Sequence, residues 1–117
     1  MLDHQHQYDD VMRGIASLGD HIPGTVQSFF SLHQAALADG ALSRPTKELI
    51  ALGIGIAARC GGCITCHVRD ALDAGATAQE IYETIGVAIL MGGGPAAVYG
   101  NEARKALESF TVLTTTH

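Results

Sequence analysis

Charge is scarce in this sequence, and positive charge scarcer still. Only 16% of the 117 residues are charged, and seven basic against twelve acidic side chains leave a net charge of −5. A chain of that sign repels phosphate backbones and anionic headgroups, which excludes nucleic acid and a membrane surface as expected partners. Long apolar runs are missing as well. The longest, residues 85–98, is interrupted by Gly92-Gly93-Gly94-Pro95 and is too short to span a bilayer. Strand-like alternation is not sustained anywhere, which leaves helices. The opening Met1-Leu2-Asp3-His4-Gln5-His6 is polar and has no export-type hydrophobic run, so a cytoplasmic location is expected. Cysteine is absent except from one stretch of seven residues, so there is neither a disulfide framework nor a second pair for a structural zinc site.

What is present is apolar. With 47% hydrophobic residues in a chain of this size, some apolar surface is expected to be covered by another subunit. The length fits one domain, residues 1–117. Helical spacing predicts an all-α fold of about six helices. After a frayed tail over 1–7, a first helix over 9–18 presents Val11, Met12, Ile15 and Leu18. A second opens at Pro23 and runs to about Ala38. Ser43 reads as the cap of a third helix, 44–59, which is apolar almost all round and is therefore expected to be buried on every side. Its one acid, Glu48, is a candidate buried charge. A fourth helix, 63–74, closes at Gly75, and Thr77 to Glu80 has the spacing of a capping box opening the fifth. Gly92 to Pro95 reads as a tight turn into the sixth, 96–110.

The chain is organised around Cys60-Gly61-Gly62-Cys63-Ile64-Thr65-Cys66, followed by His67. The Cys60–Cys63 spacing falls at the start of the fourth helix, where unpaired N–H groups and the macrodipole favour a thiolate. Cys63, Cys66, His67 and Asp70 share one helical face, at i, i+3, i+4 and i+7. Cys60 lies at or before the helix start, with fewer N–H groups expected at its sulfur. Cys63 has His67 one turn on as a candidate base, and Cys66 is a turn deeper. If the third and fourth helices run antiparallel, Glu48 is some six residues from level with His67, roughly 9 Å along the axis. Zinc held by Cys60, Cys63, Cys66 and His67, haem attachment through Cys63 to His67, and simple buried thiols are the competing readings. His4, His6, His21, His33 and His117 are scattered and have no role assigned.

Glu48, eleven residues, Cys60-x-x-Cys63, three residues and His67 together form a spacing that resembles the signature of alkylhydroperoxidase D-like proteins in the carboxymuconolactone decarboxylase family. The flanking Thr46 to Leu52, Ala71 to Thr77 and Glu80-Ile81 agree, and the match is close over 43–94. The resemblance implies a helical fold assembling as trimers or hexamers, and thiol-dependent reduction of hydroperoxides without a cofactor. It assigns peroxide attack to Cys63, resolution to Cys60 and a proton relay to His67 and Glu48. An external dithiol or lipoyl-type protein would be the reductant. Gly62 stands where the family's best-known peroxidase has a histidine, and Cys66 lies outside the signature.

Overall fold

The computed structural model describes residues 3–115, with side chains through Thr111. Helix α1 spans His4–His21, α2 Pro23–Leu37, α3 Arg44–Ala57, α4 Gly61–Asp73 and α5 Ala78–Thr115; no strand occurs among the described residues. The all-α expectation holds. Five helices are counted where about six were expected, but Gly93, at φ 68°, ψ −149°, is not helical, so α5 consists of two helical arms that meet inside the expected turn at Gly92 to Pro95. The chain reverses there: a Cβ at Gly100, in the second arm, would lie 2.7 Å from Ile85 in the first. By length and composition alone Ala78–Thr111 could cross a bilayer, but the reversal divides its apolar stretch between two arms.

Local signals explain most of the ends. Ser43 Oγ accepts the Thr46 N–H at 3.3 Å, and Thr77 and Glu80 exchange the two capping-box bonds at 3.1 and 2.7 Å. Gly75 takes the expected left-handed position at φ 103°. The first helix, by contrast, begins at His4 rather than at residue 9. Asp3 caps it by accepting the His6 N–H, and His4 is buried with its Nδ1 3.3 Å from Thr65 Oγ1. Thr65 in turn donates to Gln7 at 2.6 Å. A polar N-terminal segment thus orders itself because α4 supplies partners for its side chains.

The core lies between α3, α4 and α5, where Leu52, Ile56, Ile64, Val68, Ile81, Leu107 and Phe110 are excluded from solvent. Each such side chain contributes roughly 1.5–3 kcal/mol of burial. The expectation that α3 is buried on every side is corrected by the fold. Glu48, Leu52, Gly55 and Ile56 are buried and Leu49 packs partly against the core; Ile50 and Ile54 remain 47% and 64% exposed. They line an apolar groove with Val87 and Met91 of α5. A single layer of partners can cover one face of a helix, and among the described residues nothing covers the other.

Gly93 holds a backbone conformation open essentially to glycine alone. Gly93→Ala should therefore cost about 1–3 kcal/mol, read as a lower urea midpoint at unchanged slope. A loss below about 0.5 kcal/mol, the range of ordinary surface changes, would mean that the reversal accepts a side chain.

Candidate active site

The site is built where α3 hands the chain to α4. Arg59 takes a left-handed conformation, φ 59°, and turns the backbone so that Cys60 becomes the extended N-cap of α4. The Cys60 sulfur accepts the Cys63 N–H at 3.2 Å. The helical N–H expected to favour Cys63 is thus aimed at Cys60, because the cap position, not the first turn, is where an atom can reach an unused donor. Cys60 and Cys63 are joined by a disulfide, with their Cα atoms 5.2 Å apart, inside the range that needs no backbone movement. Cys63 is the more exposed of the two. Both sulfurs are bonded to each other, so in this oxidised form neither is open to zinc or haem.

Glu48 is fully excluded from solvent, and its Oε2 lies 2.9 Å from His67 Nδ1. The axial gap expected between them closes because of register. Gly55 of α3 sits level with Cys63, where a Cβ would fall 3.5 Å from the Cys63 Cβ. Counting back, Glu48 is level with Asp70, so His67 is three residues away, about 4.5 Å along the axis. Two side chains span that distance directly. His67 keeps 20% of its side chain exposed, giving the pair one route to solvent. Of the four residues singled out in the sequence, Cys60 and Cys63 are joined at the N-terminal end of α4 and Glu48 and His67 are joined further along it, with Cys63 one turn before His67.

Three further groups converge here. Asp70 lies one turn beyond Cys66 and His67, and one donor atom from each of Glu48, His67 and Asp70 falls within 4.8 Å of the others. Two carboxylates and an imidazole are a donor set that a divalent cation could use. The direct Glu48–His67 bond, however, accounts for the arrangement with a proton alone. Tyr8 reaches in from α1 and donates to Asp70 Oδ1 at 3.3 Å. His33, from α2, stacks on His67 with ring centroids 6.3 Å apart and planes 9° from parallel. Tyr8 and His33 were not legible as site residues, being 62 and 34 positions from their partners. The one available signal was that Tyr8 shares a helical face with Val11 and Ile15.

Burial dominates the electrostatics. It pushes the Cys66 thiol up to about 11, with the Asp70 carboxylate adding to the effect. It pushes the Tyr8 hydroxyl up to about 12, again with Asp70 as the next cause. Asp70 itself is raised above the usual carboxylate range by burial and then by Glu48, while His67, the Tyr8 hydrogen bond and His33 pull it back. Cys66 is thus held as a thiol beside a pair whose sulfurs lie at the helix N-terminus.

Comparison with known proteins adds sequence-wide context. The model of the carboxymuconolactone decarboxylase family matches residues 23–108. An uncharacterised protein from Cupriavidus necator is 36% identical over 104 residues, 89% of each chain. An uncharacterised protein of the cox locus in Paracoccus denitrificans is 40% identical over 81 residues, covering 69% of this chain and 73% of its own. A carboxymuconolactone decarboxylase family protein from Legionella pneumophila superposes with a TM-score of 0.87 at 41% identity, over 92% of this chain and 96% of that one. A family protein from Thermotoga maritima, suggested to take part in an antioxidative response, gives 0.74 at 29% identity, over 80% and 96%. The family model covers most of the chain and the relatives match it over most of their length: the chain belongs to the carboxymuconolactone decarboxylase family.

Proposed function

We propose that the protein is a thiol-dependent oxidoreductase that reduces hydroperoxides through the Cys60–Cys63 pair. The observation carrying this reading is the disulfide at the N-terminus of α4, one turn from a histidine hydrogen-bonded to a fully buried glutamate. Reduced, Cys63 attacks the nearer peroxide oxygen as a thiolate; the O–O bond breaks and an S–O bond forms. His67 delivers the proton that the leaving alkoxide needs, and Glu48 holds the ring and balances its charge. The Cys60 thiol then condenses with the sulfenic acid, forming the disulfide seen here and releasing water. An external dithiol, free or carried on a lipoyl-type protein, takes up the oxidation by exchange and returns both thiols. Relatedness to a protein suggested for an antioxidative response supports the same direction.

The assay is consumption of an organic hydroperoxide by the reduced protein with a dithiol present. Glu48→Gln and His67→Ala should each slow it by about 10²–10⁴-fold, the usual weight of general acid–base assistance, with the helical circular dichroism retained. Wild-type rates in both variants would remove the relay from the mechanism.

The raised Cys66 thiol gives a second check. With Cys66 titrating at about 11, only about one molecule in a thousand carries its thiolate at pH 8. Brief alkylation of reduced protein at that pH, followed by peptide mass spectrometry, should label Cys63 and Cys60 while Cys66 stays free. Labelling of Cys66 should climb only as the pH approaches 11. Preferential labelling of Cys66 would reverse the assignment.

The apolar groove over α3 and the first arm of α5 supports a homo-oligomer, a trimer or hexamer, built on Ile50, Ile54, Val87 and Met91. Light scattering on a sizing column should give a multiple of the 12.2 kDa chain, and Ile54→Glu should reduce that mass. A wild-type monomer at micromolar concentration would rule the assembly out.

A further inference from the structure

The relay proposed above uses Glu48 and His67 and leaves the second carboxylate at the same ring without a task. Asp70 and Glu48 come from different helices, yet each places an oxygen within 4.8 Å of a His67 ring nitrogen and of the other. Gathering two carboxylates in a half-buried site is unfavourable, since like charges repel strongly where water is excluded. Glu48 is also left with a buried Oε1 that has no hydrogen-bond partner among the described residues. A positive charge between the two acids is what offsets such an arrangement, and His67 is the group so placed. Asp70 does not sit there by accident of its own helix. The Tyr8 hydroxyl holds its Oδ1 from α1, and α1 is anchored to α4 a second time through His4, Gln7 and Thr65. The groups acting on Asp70 are Glu48 from α3, His67 from its own helix, Tyr8 from α1 and His33 from α2.

We propose that Asp70 is a positioning residue: with Glu48 it brackets His67 in negative charge, favours the imidazolium form of that ring, and so keeps Cys63, one turn back on the same face, as a thiolate. Tyr8 makes α1 part of this device by fixing the Asp70 carboxylate. The inference rests on the thiol reading of Cys63 and His67. It concerns the protonation of the resting site, not its turnover.

The test needs no peroxide. In fully reduced protein, the rate of Cys63 alkylation is followed against pH by peptide mass spectrometry, and the His67 ring signals are titrated by NMR. Wild type is compared with Asp70→Asn and Tyr8→Phe. Asp70→Asn keeps the acceptor for Tyr8 and removes only the charge. It should move the His67 midpoint down by about one pH unit, the size of a lost neighbouring charge, and the Cys63 midpoint up by a fraction of that, which slows alkylation below the midpoint severalfold. Tyr8→Phe should move both in the same directions by less, because the carboxylate remains but is no longer held. Unshifted profiles in a folded Asp70→Asn variant overturn the proposal. If that variant does not fold, an unshifted Tyr8→Phe overturns it instead. A shifted profile in a protein that consumes no hydroperoxide would sink the peroxidase reading and leave the role of Asp70 standing.

Discussion

A carboxylate with no solvent exposure is the constraint on which the rest of this structure depends. Glu48 cannot stay charged inside a helical bundle without a partner, because desolvating an ion costs several kcal/mol that only a close opposite charge or hydrogen bonds return. His67 is that partner. The bond is made in the register that the packing of Gly55 on Cys63 sets between α3 and α4, with the turn at Arg59 and the cap at Cys60 joining the two helices. The disulfide therefore sits at the only end of α4 where backbone donors are unused.

Helix α1 and helix α2 make few contributions to the apolar core, yet they bring polar groups to the site. Tyr8, His4 and Gln7 bond to α4, and His33 lies on the face of His67. The core thus explains stability while the peripheral helices shape protonation. This division of labour follows from the sequence of α4, which is apolar at Ile64, Val68 and Ala71 and polar at Thr65, His67 and Asp70. One face of the helix meets α3 and α5, and the other is left to be covered by helices that can offer hydrogen bonds.

The same logic accounts for the contrast among the three sulfurs. Cys60 and Cys63 occupy a helix start, where N–H groups face outward and solvent is near. Cys66 is one turn further in, against Asp70 and Tyr8, and its thiol is pushed up rather than down. Three residues along one helix separate a disulfide-bonded pair from a partly buried free thiol. Position relative to the helix end decides it, because the macrodipole acts within the first turn and burial acts beyond it.

The sequence by itself determined the helical class, the caps at Ser43 and Thr77, the left-handed Gly75 and the placing of Cys60, Cys63 and His67 along one helix, all of which are written in local spacing or residue type. It did not determine that α1 begins at His4, that α3 leaves Ile50 and Ile54 open, or that Tyr8 reaches Asp70 and His33 reaches His67. Those depend on which faces of distant helices come together. A helical period tells which residues share a face. It does not tell which face meets which, and a hydrogen bond across 62 residues leaves no trace in either segment alone. The direct reach from Glu48 to His67 was decided in the same way, by a close packing of Gly55 on Cys63 that shifts two helices by less than one turn.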